Sequence, residues 1–78
     1  MQLTYDPRYN IAYFRLREKT AEVQTIKISD ALNIDLAPDG TIYGIELLNA
    51  NEQLGQDKGA LVVINEALGK KDEIVLIP

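Results

Sequence analysis

Seventy-eight residues without a cysteine or a histidine form one small domain, which can have no disulfide framework and no thiolate metal site and lacks the commonest catalytic bases and nucleophiles. A net charge of −4 argues against a protein that grips a phosphate backbone. With 46% hydrophobic residues, there is more apolar material than a lone small sheet covers easily, so self-association into a homodimer is expected.

Gln2 to Tyr5 reads as a short strand with Leu3 and Tyr5 on one side. Asp6-Pro7 stops it in a turn, where Pro7 fits the second position and Asp6 can accept from an amide two residues on. Ile11 to Arg17 alternates Ala12, Phe14 and Leu16 with Ile11, Tyr13, Arg15 and Arg17, the pattern of a strand with one wet side. Glu18-Lys19-Thr20 is the next turn. Ala21 to Ile28 loses its phase, because Ala21 and Val23 have one parity and Ile26 and Ile28 the other. A bulge near Gln24 or Thr25 would restore the inward face. Ser29-Asp30 closes this segment.

The central signal is a hairpin. Leu32, Ile34 and Leu36 alternate with Asn33, Asp35 and Ala37, and Pro38-Asp39-Gly40 supplies the bend, with Gly40 free to take a positive φ. Thr41 to Leu48 is the returning arm, and Gly44 in its middle marks a bulge or the close approach of a ring, Tyr43 or Tyr13. Up to Leu48 the expectation is a five-stranded antiparallel meander with sequential neighbours paired. Asn49 with Glu52 suggests a capping box opening a short helix, and Gly55 a left-handed end to it.

Gln56 to Gly59 is a polar loop. Ala60 to Gly69 is ambiguous. Leu61, Ile64 and Leu68 fit a helix, whereas Val62-Val63-Ile64 after Gly59 fits a strand better. The strand reading pairs it, through a turn from Glu66 to Lys71, with Glu73 to Ile77. The fold class is therefore α+β and mostly β, with one short helix and a C-terminal hairpin. Residues 1–54 form the body of the single domain 1–78, and 55–78 an extension.

Candidate chemistry is sparse. Asp35, Asp39 and Glu46 all lie on the central hairpin and could serve as acid and base or as oxygen ligands for a divalent cation. Each also has a plain structural reading as a turn former or a solvated carboxylate. Pro7, Pro38, Asp39, Gly40 and Gly44 are turn and backbone residues, and the glycines do not form a phosphate loop. Tyr5, Tyr9, Tyr13, Phe14 and Tyr43 interleaved with Arg8, Arg15 and Arg17 resemble a stacking platform for single-stranded nucleic acid, which the acidic total opposes. The charge is uneven. Met1 to Lys27 carries five bases and three acids, and Ile28 onward nine acids and three bases, so a basic protein partner of an acidic, antitoxin-like chain is a possible alternative to self-association. No cofactor, nucleic acid or membrane is expected. The start has no signal-peptide pattern and the apolar runs are short, so a cytoplasmic, non-enzymatic protein is expected.

Tyr5-Asp6-Pro7, Ala12-Tyr13-Phe14-Arg15-Leu16, Ile34-Asp35-Leu36 with Asp39-Gly40, and Gly44-Ile45-Glu46-Leu47-Leu48 with Ala50 together resemble the small prokaryotic family known as domain of unknown function 2283. The resemblance covers residues 1–54. It implies a compact β-rich domain with a short helix, of bacterial origin and without an established activity. Family members often carry Asp where this chain has Asn10, which speaks against a metal ligand there.

Overall fold

The computed structural model describes residues 1–20, 22–56 and 58–77. Its elements are β1 (Gln2–Asp6), β2 (Ile11–Arg15), β3 (Gln24–Ser29), β4 (Leu32–Leu36), β5 (Ile42–Leu48), α1 (Ala50–Leu54), β6 (Ala60–Asn65) and β7 (Lys70–Val75). A five-stranded antiparallel sheet, one short helix and a C-terminal antiparallel hairpin make up the chain, as the sequence leads one to expect.

The strand order departs from a sequential meander at one place. It runs β1-β2-β5-β4-β3, so β5 lies between β2 and β4 while residues 16–23 carry the chain from β2 to the far edge. This is a Greek-key type of connection. Burial explains the order. Ala12 and Phe14 of β2 sit opposite Leu47 and Ile45 of β5, which sit in turn opposite Leu32 and Ile34 of β4. The most apolar strands thus take the middle. β3, with Lys27 and an irregular register, takes an edge, where charge and bulges discourage further pairing. Its register shift falls between Lys27 and Ser29, not near Gln24 or Thr25 as expected. The strand begins only at Gln24, and Ala21 lies outside the described residues.

The central bend forms as its residues dictate. Gly40 N–H donates to Ala37 O at 2.9 Å, Gly40 has φ +88°, and the Asp39 carboxylate accepts from Thr41 N at 3.0 Å. At the other end, Asp6 accepts from Arg8 N at 2.9 Å beside Pro7.

The helix is capped differently from the expected box. Asn49 is left-handed (φ 57°) and its side chain caps nothing; the partner of Glu52 is only its amide nitrogen. The cap comes from Asn10, at the end of the β1–β2 turn. Its Oδ1 accepts from Asn51 N at 2.7 Å and its backbone carbonyl from Ala50 N at 3.1 Å. Nor does Gly55 close the helix left-handed, since its φ is −84°. Asn10 itself has φ +59°, a conformation Asn tolerates better than most residues. Asn10→Ala should cost about 1–2 kcal/mol in a urea or thermal melt, with both the cap and the backbone fit lost; Asn10→Asp, which keeps the acceptor, should lose less.

The interior is thin. Among the described residues the buried apolar side chains are Ala12, Ala37, Tyr43 and Ala50, and Tyr43 alone is large. The β6–β7 hairpin turns over residues 66–69, with Gly69 at φ +66°, so β7 spans Lys70–Val75 and not Glu73 to Ile77. Gly59 anchors its base: Leu76 N and Ile77 N both donate to Gly59 O.

Candidate functional site

Alternation puts opposite chemistry on the two faces of the sheet. On the polar face, Thr25, Asp35, Gly44 and Arg15 lie in one row across the strands, with Asn33, Glu46 and Tyr13 in the next. Gly44 opens a corridor between them. A Cβ there would sit 2.4 Å from Tyr13 Oη and 2.5 Å from its ring, so the absent side chain is what lets the phenol cross β5. Tyr13 Oη then donates to Asp35 Oδ2 at 2.8 Å, Thr25 Oγ1 donates to Asp35 Oδ1 at 2.6 Å, and Lys19 Nζ lies 2.9 Å from Asp35 Oδ2.

Asp35 is 8% exposed, the one buried charged residue among those described. Burial pushes its carboxyl up, but hydrogen bonds from Thr25, Lys19 and Tyr13 outweigh this and leave it below the ordinary Asp value. Burial, then the bond to Asp35, holds the Tyr13 phenol above its ordinary value. The same carboxylate raises Lys19. Lys19 also lies 4.9 Å from the Tyr13 ring centroid. It belongs to the β2–β3 connection, so this cluster pins the crossing segment to the sheet. Its acceptors and donors are matched, and every buried side-chain polar atom among the described residues has a partner.

Asp35, Asp39 and Glu46 do not converge. Asp39 is engaged with Thr41 in the bend, whose hydrogen bonds hold its carboxyl below the usual range. Glu46 accepts from Asn33 Nδ2 at 3.1 Å. Among the described residues no group of three or more acidic side chains is placed to hold a metal ion. Three rings of the supposed stacking platform already carry cations from their own chain: Arg8 lies over Tyr9 at 5.7 Å, Lys19 over Tyr13 at 4.9 Å, and Arg17 over Tyr43 at 4.7 Å, where it also contacts Thr41. The sequence reading missed Lys19 and Thr25. Thr25 was legible as the cross-strand neighbour of Asp35, but Lys19 was not, since nothing local shows where a connection runs.

The apolar face is the open one. Leu3, Phe14, Ile34, Ile45 and Leu47 share it, all only partly buried. The hairpin stands over the β1–β2 end and leaves an open cleft of about 430 Å³ between Leu3 and Phe14 on the sheet and Leu61, Val63, Ile74 and Leu76 on the hairpin. Val63 and Ile74 are each 53% exposed there. On the hairpin's outer face, Val62, Ile64 and Val75 are exposed as well. Thus both faces of β6–β7 present apolar side chains to solvent. No helix among the described residues is long and apolar enough to cross a membrane.

Neither a curated protein nor a solved structure matches this chain. A family match covers residues 2–51, from β1 to the first turn of α1; it includes the Tyr13–Asp35 cluster and Asn10 and stops short of the hairpin. The chain belongs to the family described as Protein of unknown function (DUF2283).

Proposed function

We propose that this chain is a non-enzymatic protein-interaction module that works as a homodimer. The observation that carries the reading is its surface. A compact monomer of 8.7 kDa exposes about 4,700 Å², whereas this chain exposes 5924 Å². The excess of roughly 1,200 Å² is more than the roughly 800 Å² that each partner contributes to a standard interface. The radius of gyration agrees: 14.0 Å, against about 11.5 Å for a compact chain of this length. Val62, Val63, Ile64, Leu68, Ile74 and Val75 of the hairpin are exposed apolar side chains, while every buried side-chain polar atom among the described residues has a partner in its own chain. Light scattering at micromolar concentration should return twice the 8.7 kDa of one chain. The mass of a single chain would overturn the reading.

A further inference from the structure

We infer that two copies join edge to edge through β6, antiparallel about a two-fold axis at Val62, forming one four-stranded sheet in the order β7-β6-β6-β7. The inference rests on the homodimer reading and specifies its interface.

An isolated two-stranded hairpin is marginal in water, and three or more strands with an apolar face are needed for stability. β6 and β7 form their own two-stranded sheet, and among the described residues no strand is paired on the outer side of either. Proteins protect such edges with charge, bulges or short length. β7 opens with Lys70-Lys71-Asp72-Glu73, β3 carries Lys27 and a register shift, and β1 ends on Asp6. Among the described residues β6, Ala60-Leu-Val-Val-Ile-Asn, is the one outer strand with neither a charge nor an irregularity. It also holds three β-branched residues in succession, all exposed.

A second copy of the same strand fits this edge best. A two-fold axis perpendicular to the sheet makes the contact self-complementary and closed. It also keeps like faces on the same side, so one residue must lie opposite itself. With Val62 on the axis, Leu61 faces Val63 of the second copy and Ala60 faces Ile64, so every pair from 60 to 64 is apolar. Moving the axis to Val63 would set Leu61 against Asn65 and Ala60 against Glu66. The charged β7 strands end up on the outside of the four-stranded sheet, where they block further addition.

The lack of cysteine in the sequence permits a direct test. Residues directly opposite in an antiparallel pair have Cα atoms about 4.5–5.5 Å apart, within the about 4.4–6.8 Å that a disulfide spans. Val62→Cys should therefore form a disulfide-linked dimer under mild oxidation. Glu73→Cys, across the hairpin from Val62 on the same face but at the outer edge, should form about tenfold less, because its counterpart in the second copy lies beyond disulfide reach. On the unaltered protein, the alternate amides of residues 60–64 that point away from β7 should gain protection from hydrogen exchange as concentration rises, whereas the outward amides of β7 should not. Equal cross-linking at 62 and 73 would mean face-to-face hairpins and overturn the edge pairing. So would a dimer by light scattering with neither the cross-link nor the protection, an outcome that leaves the homodimer reading standing. A single-chain mass removes both.

Discussion

Gly44→Ala is expected to destabilise the protein by about 4 kcal/mol, the sum of overpacking at about 1–3 kcal/mol and a lost hydrogen bond to a charged acceptor at about 1.5–3 kcal/mol. The added methyl would meet Tyr13 at 2.4–2.7 Å, so the ring must swing out of its corridor and release Asp35. The backbone raises no objection, because Gly44 is not left-handed. The sign of the effect therefore depends on the ring. In a Tyr13→Ala background the clash is gone, and Gly44→Ala should be neutral or stabilising by about 0.5–1 kcal/mol, the usual advantage of Ala over Gly inside a strand. Urea melts of the two single variants and the double variant measure this directly. A Gly44→Ala penalty of equal size in both backgrounds would show that Tyr13 does not need the corridor.

The same pair of residues shows how much could be read in advance. A glycine inside a strand otherwise rich in β-branched and aromatic residues announces that something approaches closely, and Tyr13 was one of two candidates. The Pro38-Asp39-Gly40 bend and the alternation of Leu32, Ile34 and Leu36 were likewise legible, because turn chemistry and parity are local. Strand order was not. Tight turns fix which consecutive strands pair, but the β2–β3 connection has enough residues to cross two strands, and the choice fell to burial, which favours β2 and β5 in the middle. The helix cap escaped for a related reason: Asn10 lies 41 residues from the amide it satisfies. Asn10 thus has a structural task in this chain. Parity did place Asp35 on the polar face, but parity cannot tell a solvated polar face from one covered by a connecting segment. Lys19 makes that difference.

Asp35→Asn tests that covering. The carboxylate accepts bonds from Thr25 and Tyr13, each worth about 1.5–3 kcal/mol to a charged acceptor, though not additively. Lys19 adds less, because its side chain is 43% exposed and solvent screens the pair. An amide preserves the shape but supplies one oxygen, and turns a donor toward groups that are themselves donors. A loss of about 2–3 kcal/mol is expected, a fall in melting temperature of roughly 10–20 °C for a domain of this size. The pH dependence has a definite sign. Because the folded carboxyl titrates below its ordinary value of 3.8, the folded state binds fewer protons than the unfolded one as acid is added. The stabilisation is therefore complete above about pH 4 and is lost as pH falls through the lower, folded value. Asp6 and Asp39 shift in the same direction, but Asp39 is exposed and Asp6 only half-buried, so Asp35 should dominate. Melting curves from pH 6 down to pH 2 should show the native chain losing stability below about pH 4 and Asp35→Asn losing much less over the same range. Parallel curves for the two proteins would mean that the acid sensitivity arises elsewhere and that the Asp35 cluster does not hold the β2–β3 connection in place.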